Sequence, residues 1–248
     1  MSELLVAAVA LPFLGALAHG ALPSAGQKSR ISFFYGAAAA LLFSLGSSAF
    51  ILLLLSRLGR VADVQAPFAV EWLSSFGIRF ELGVDGLNAL ILLLLAILFP
   101  VVITLEWMRS KGRRGVFALL LLLQGALIGS VVARDLFLMF AFWSLSAIPL
   151  FLLVGIWGGV ERERAAVQSA AAAFIGNAFL LAGIMVAFYF AEPHSFSLQE
   201  IPAGSFSGKL VEVFGVSISV ADLILALFGL GFVARLPIWP VHGWFFRV

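Results

Sequence analysis

Seven apolar runs, each long enough to cross a bilayer as a helix, constrain the fold of this chain more than any other feature. They cover residues 3–22, 31–55, 87–107, 116–133, 135–157, 165–191 and 220–242. Backbone polar groups have no water to bond inside hydrocarbon, so isolated runs of this length must be helical. The sequence therefore predicts an all-α integral membrane fold with about seven transmembrane helices.

The composition supports a membrane protein and excludes several other classes. Hydrophobic residues make up 62% of the chain and charged residues only 11%, which exceeds what a soluble core of this size needs. The net charge of +2 is spread over short loops and forms no surface suited to nucleic acid. The chain has no cysteine, which excludes disulfides, thiolate nucleophiles and cysteine-bound iron–sulfur clusters.

The basic residues in the loops predict the orientation in the membrane. Loops after the odd-numbered runs hold eight Lys and Arg residues, whereas the other loops hold five although they are longer. Because cytoplasmic loops carry the excess of Lys and Arg, the amino terminus is predicted to lie outside and the carboxyl terminus inside. The membrane is expected to be the bacterial inner (cytoplasmic) membrane.

Two loops are long enough to carry structure of their own. Residues 59–86 alternate polar and apolar side chains around Ser74-Ser-Phe-Gly77, which predicts a small external β-hairpin. Residues 192–219 are rich in Pro, Gly and Ser and are predicted to form an external surface segment. Neither loop has the composition of a linker between domains, so the chain is predicted to form a single membrane domain.

Arg235 is the most unusual residue, because it lies inside the last apolar run. A guanidinium cannot lose its proton, and its insertion at a bilayer centre costs roughly 2.5–3.5 kcal/mol on insertion scales. It must therefore face a buried partner, a hydrated cavity or the membrane surface. Pro237 and Pro240 remove backbone donors beside it and, with Pro149 in an earlier run, are predicted as structural or helix-breaking positions. His242 follows and can titrate near neutral pH.

Several segments in a fixed order carry a family resemblance. They are Leu82–Asn88, Asp135–Ser144, Ile148–Gly159, Gly231–Pro237 and Pro240–Trp244. Together they resemble the antiporter-like membrane subunits of respiratory complex I, of the NuoM type, over nearly the whole chain. The resemblance implies a subunit of a proton-translocating NADH:quinone oxidoreductase assembly. It also implies kinship with Mrp-type cation/proton antiporter subunits and with membrane-bound hydrogenases.

The chain departs from the family pattern at the titratable positions. The resemblance implies a glutamate where this sequence has Ser144, and a lysine where it has Gln168. A further family lysine corresponds to Arg235, which keeps its charge but cannot release a proton. The proton relay is therefore expected to be altered or lost, and Arg235, His242, Ser144 and Gln168 are the candidate residues of any remaining path.

The family pattern also divides the chain. Residues 1–115 are predicted to be the amino-terminal helices with the external hairpin, and residues 116–248 a partial antiporter-like repeat. The resemblance implies a second, inverted repeat that the given sequence does not contain. The expected partners are other membrane subunits of a complex I-like assembly, lipid and a chain that supplies the second repeat.

Each candidate residue also has a structural interpretation. Ser144 can be a packing hydroxyl, and Gln168 can bridge helices or lie at the inner membrane surface. Arg235 can extend to the inner surface, and His242 can lie at the headgroup level. Asp135 is predicted as a solvated pair with its neighbour or as the cap of a helix.

The sequence holds no motif for chemistry of its own. It has no phosphate-binding glycine loop, no set of metal ligands and no grouping of His, Asp and Ser in its loops. No catalytic residue, metal site or cofactor is predicted. Besides an ion-translocating subunit, the alternatives are a non-conducting structural subunit and a subunit of an Mrp-type antiporter, a membrane-bound hydrogenase or an inorganic-carbon uptake complex.

Overall fold

The protein is described here from a computed structural model covering residues 1–21, 30–58, 64–109, 114–202, 204–213 and 215–236. The helices are α1 (Ser2–Ala21), α2 (Arg30–Arg57), α3 (Gly86–Arg109), α4 (Arg114–Val132), α5 (Leu136–Trp157), α6 (Arg162–Phe190) and α7 (Val220–Val233). The strands are β1 (Gln65–Leu73), β2 (Ile78–Val84), β3 (Leu210–Val213) and β4 (Val216–Ser219).

The predicted membrane class is confirmed. Within the described residues, the six helices α1 to α6 are long and apolar enough to cross a membrane, and α7 is a shorter apolar helix of 14 residues. The predicted last run extends to residue 242, whereas α7 ends at Val233. Residues 237–248 lie outside the described part of the chain.

The chain divides into two compact units. The first consists of Met1–Ala69 and Leu82–Ala133 and contains α1 to α4. In this unit α1 packs against α2 and α4, and α3 packs against α2 and α4. The second consists of Val70–Glu81 and Arg134–Val248, where α6 packs against both α5 and α7. The predicted division at residue 115 stays a prediction.

Glycines bring the helices of the second unit close together. A Cβ added at Gly176 of α6 would lie 2.6 Å from the carbonyl oxygen of Gly231 and 3.1 Å from Ala234 Cβ. A Cβ added at Gly231 would lie 2.5 Å from Leu180 Cγ. Small residues at both positions therefore let the backbones of α6 and α7 come into contact, as is common between membrane helices.

Two antiparallel hairpins are present in the described residues. The predicted hairpin is confirmed as β1 and β2, joined by a 3₁₀ turn over Ser74–Phe76 that ends at Gly77 with φ of 68°. The second hairpin, β3 and β4, lies in the loop that was predicted only as a surface segment. Its strands have four residues each, too few for an alternating pattern to stand out among Pro, Gly and Ser.

Pro149 corrects one part of the prediction. The residue is buried inside α5, which continues through it to Trp157. A proline inside a helix removes one backbone hydrogen bond, but neighbouring groups in a membrane bundle can compensate for it. Pro149 is therefore a helix-interior position and not a helix break. Pro237 and Pro240 lie outside the described residues.

Candidate functional site

Arg235 lies just after α7, and its guanidinium binds α5. Nη1 donates a hydrogen bond of 2.7 Å to the carbonyl oxygen of Trp143, and Nη2 donates one of 3.0 Å to Ser146 Oγ. The close packing of α7 on α6 at Gly176 and Gly231 fixes the position of Arg235, which follows α7. Of the three surroundings expected for Arg235, the structure shows a partner, which consists of neutral groups of α5.

Aromatic rings complete the surroundings of the cation. The guanidinium carbon lies 4.5 Å from the centre of the Trp143 ring, which is the geometry of a cation–π contact. Phe232 of α7 meets the same ring edge to face, with centroids 5.2 Å apart and planes at 84°. A cation–π contact contributes about 0.5–1 kcal/mol at exposed sites and about 2 kcal/mol where water is excluded.

The hydroxyl of Ser146 is oriented by a bond within its own helix. It is buried and donates to the carbonyl oxygen of Trp143 at 2.6 Å. Its single proton is used there, so its lone pairs are left to accept from Arg235. The carbonyl of Trp143 thus receives two side-chain hydrogen bonds, one from the serine and one from the arginine.

Acidic residues are scarce in the helices around this site. The sequence of α5 contains no charged residue at all. The acids of α6 and α7 are Glu163 and Asp222, and each lies in the first turn of its helix. Among the described residues Arg235 makes no ion pair, so its charge is balanced only by dipoles and a ring.

The other candidate residues of a proton path are not hydrogen-bond partners of Arg235 in the described part of the chain. Ser144 Oγ is buried and has no hydrogen-bond partner within the described part of the chain. Gln168 lies exposed on α6, beside the buried Ser169. Neither is a hydrogen-bond partner of Arg235. His242 lies outside the described residues.

Sequence reasoning missed Trp143 and Ser146 as partners of the arginine. The Phe-Trp-Ser motif drew attention to Ser144, the position of the expected acid, and not to Trp143 before it or Ser146 two positions after it. The signal was present, because Trp143 and Ser146 are one helical turn apart and therefore lie on the same face of α5. The indole Nε1 of Trp143 is buried without a partner in the described residues, so the face of the ring and not its N–H serves the arginine.

A second polar cluster lies in the loops of the same unit, at the start of α5. Asp135 caps this helix, because its Oδ1 accepts from the backbone N–H groups of Phe137 and Leu138 at 2.9 Å each. Its Oδ2 accepts from the backbone N–H of Arg79 at 3.2 Å. Asp135 is fully buried, so the helix-cap interpretation is correct and the solvated pair is wrong. Burial raises the pKa of this carboxyl above its ordinary value of 3.8, against the lowering effect of those hydrogen bonds.

The loop after α6 is bonded to the hairpin β1–β2 through two acids. Ser197 Oγ donates to the buried Glu81 carboxylate at 2.6 Å. Glu200 accepts a 2.7 Å hydrogen bond from Ser195 Oγ and also pairs with the guanidinium of Arg79. The Ser195 hydrogen bond, followed by the Arg79 contact, lowers the pKa of Glu200 below its ordinary value of 4.5.

The chemistry open to the Arg235 site is limited by its groups. A guanidinium donates hydrogen bonds and holds a positive charge, but it neither gives up nor takes up a proton. Hydroxyl and carbonyl groups fix its position. No group of three or more His, Asp or Glu residues in the described ranges has the spacing to hold a metal ion. The site is therefore an anchored cation inside a helical bundle.

The comparisons with known proteins agree with this fold and sequence. Residues 133–248 match the family model described as "NADH:quinone oxidoreductase/Mrp antiporter, TM". "NAD(P)H-quinone oxidoreductase chain 4 1" of Synechococcus sp. (strain JA-3-3Ab) is 31% identical over 240 residues, which are 97% of this chain and 43% of that relative. The resemblance to the antiporter-like membrane subunits of complex I is thereby confirmed for the part of those relatives that this chain covers.

Solved structures show the same architecture. A chain of the respiratory complex I from Thermus thermophilus with bound NADH superposes with a TM-score of 0.77 at 26% identity, over 97% of this chain and 45% of that one. A chain of the Mrp complex from Dietzia sp. DQ12-45-1b gives a TM-score of 0.76 at 20% identity, over 97% and 24%, which is a likeness in fold alone. The chain thus spans less than half the length of each of these three relatives.

Proposed function

We propose that this chain is a membrane subunit of a proton-translocating NADH:quinone oxidoreductase assembly and that its own proton relay is altered or lost. The family match and the likeness to complex I support the assembly. The hydrogen bonds from Arg235 to neutral groups of α5 support the altered relay, because a relay needs groups that exchange protons. Arg235 then stabilises the contact between α5 and α7 and does not carry protons.

The alternative of a conducting subunit would use the remaining candidates differently. Arg235 would shift the proton affinity of a nearby acid from another chain, and His242, Ser144 and water would move the proton. The unpartnered, buried hydroxyl of Ser144 is the observation that favours this alternative. Gln168, exposed on α6, would contribute only where a neighbouring subunit covers that face.

The proposal includes a location and partners. The chain is proposed to lie in the bacterial cytoplasmic membrane with its amino terminus outside, on the basis of the basic residues in its loops. Large apolar side chains such as Phe174, which is 77% exposed, support contact with lipid or neighbouring subunits. The partners proposed are other membrane subunits, lipid and a polypeptide matching the rest of the relatives' length, as a continuation or a separate chain.

Purification from the native membrane tests the assignment. The tagged chain is extracted in mild detergent, and everything that copurifies is identified by mass spectrometry. Recovery of quinone-oxidoreductase subunits is the expected result. Recovery of an Mrp-type antiporter or hydrogenase set would move the chain to that assembly, and recovery of none of these would overturn the proposal.

A further inference from the structure

Two fully buried polar side chains in the first unit lack hydrogen-bond partners among the described residues. Gln124 of α4 and Ser44 of α2 are both 0% exposed. The two amide atoms of Gln124 and the hydroxyl of Ser44 make no hydrogen bond there. A carboxamide offers two N–H donors and an accepting oxygen, and a hydroxyl can donate and accept. Buried polar groups in native proteins nearly always have partners, so this pair calls for a ligand.

The two residues lie at the same depth in the helical unit. Gly15 of α1 marks that depth, since a Cβ added there would lie 2.7 Å from Phe43 Cγ and 2.9 Å from Leu121 Cδ1. Ser44 directly follows Phe43 on α2. Gln124 follows Leu121 by about one turn of α4.

Phe33 of α2 meets Phe117 of α4 with ring centroids 5.7 Å apart. Ser44 follows Phe33 by about three turns and Gln124 follows Phe117 by about two, so each lies on the facing side of its helix. The unpartnered groups are thus at one level between α2 and α4, which pack together.

The neighbouring serines of α2 behave differently. Ser47 Oγ donates to the carbonyl oxygen of Ala8 at 2.6 Å, and Ser48 Oγ donates to that of Ala96 at 2.7 Å. These hydroxyls bond protein carbonyls across helix interfaces, whereas the hydroxyl of Ser44 does not. A missing polar partner is therefore a local feature of the level of Ser44 and Gln124, not of the whole helix.

We propose that Gln124 and Ser44 form a binding site for internal water between α2 and α4. Water fits because it is small and neutral and has both donors and acceptors, as a carboxamide and a hydroxyl require together. Buried waters typically make about three hydrogen bonds to such groups. A metal ion does not fit, since no charged side chain occurs in α4 after Arg114 or in α2 between its first and last residues. The inference is independent of the proposed function and concerns residues before 133.

Radiolytic footprinting of the complete assembly tests this site. Brief X-ray exposure forms hydroxyl radicals from bound water, which modify the side chains next to it, and mass spectrometry locates the modification. Leu121 is expected to be modified in the wild type although it is 0% exposed. Ile103, also 0% exposed in the same unit, should stay unmodified at the same dose. This comparison of Leu121 with Ile103 is made in the wild-type protein and requires no variant.

Two variants sharpen the test. Gln124→Met combined with Ser44→Ala removes the polar groups and should abolish modification of Leu121. Ile128→Met, at an equally buried apolar position one turn further along α4, should leave that modification unchanged. An unmodified Leu121 in the wild type would overturn the proposal. So would equal modification of Leu121 and Ile103, or modification of Leu121 that persists in the double variant.

Discussion

At the scale of the residue, the second unit holds two charged groups in contrasting ways. Arg235 is surrounded by neutral acceptors and a ring, which stabilise a cation without offering it a proton acceptor of comparable basicity. Asp135 is surrounded by backbone N–H groups, which stabilise an anion that burial disfavours. The positive charge of Arg235 persists at any accessible pH, whereas the negative charge of Asp135 depends on pH.

The cap at Asp135 leads to a prediction about stability. Asp135→Ala should lower the free energy of unfolding by about 1–2 kcal/mol, because the N–H groups of Phe137 and Leu138 lose their acceptor. Asp135→Asn should cost less, since the amide oxygen still accepts and the buried charge is gone. Thermal unfolding in detergent at neutral pH measures both. Equal losses for the two variants would show that the charge, and not the cap, matters.

The pKa of Glu200 is shifted in the opposite direction to that of Asp135, so its contribution to stability has the opposite dependence on pH. Its pKa is lowered in the fold, so its stabilising effect is present above the unfolded value near 4.5 and is lost as the pH falls through the folded value. Glu200→Gln should therefore lower the unfolding temperature slightly at neutral pH, and the difference from wild type should shrink in acid. Glu212→Gln, at an exposed acid of β3, is the control. A difference that grows in acid would contradict this assignment.

At the scale of the element, the contact between α6 and α7 depends on the absence of side chains at two glycines. Gly176 and Gly231 bring the two backbones into contact, and Arg235 follows Gly231 by about one turn. A displacement of α7 would therefore also displace the guanidinium from Trp143. Close helix packing and the position of the cation are consequences of the same two residues.

Alanine substitutions at Gly231 and Gly229 distinguish the effect of helix packing on stability from the effect of helix propensity. Gly231→Ala places a methyl group 2.5 Å from Leu180 Cγ and should destabilise the protein by about 1–3 kcal/mol through overpacking. Gly229→Ala is the matched control in the same helix, because a Cβ there has nothing within 4 Å. It should be neutral or slightly stabilising, since alanine favours a helix. Equal unfolding temperatures for the two variants would rule out the packing explanation.

Parts of this fold were predictable because they follow from local physics. The membrane helices follow from bilayer thickness, and the first hairpin follows from alternating side chains around a Ser-Ser-Phe-Gly turn. The second hairpin was not predictable, because its four-residue strands are too short to show a pattern. Arg235 was identifiable as unusual, but its partner Trp143 is 92 residues away in sequence. Only the packing of α5, α6 and α7 reveals that contact.

At the scale of the whole molecule, the given sequence presents family features without the titratable residues that the family pattern implies. The resemblance implies an acid at the position of Ser144 and a lysine at that of Arg235. The sequences of α5 to α7 contain no histidine or lysine, and their acids, Glu163 and Asp222, lie in first turns. Under the proposed function, such a subunit supports the assembly without carrying protons itself. Its role is then defined by its neighbours.

The proposed orientation is testable on the whole protein. The chain contains no cysteine, so single introduced cysteines report their own side of the membrane. Val160→Cys, in the exposed loop after α5, should react with impermeant maleimide only after the membrane is opened. Ser207→Cys, in the loop before β3, should react in intact cells. The reverse pattern would invert the proposed topology.

Proton translocation by the purified assembly tests the central claim most directly. Assemblies with wild-type chain or Arg235→Lys are reconstituted into liposomes, and protons moved per electron pair delivered to quinone are measured. Lysine keeps the positive charge and restores a group that can release its proton, but it lacks the planar guanidinium that bonds both Trp143 and Ser146. The account predicts the same ratio for both assemblies. A changed ratio in a variant with normal subunit composition would contradict it and make Arg235 part of a working proton path.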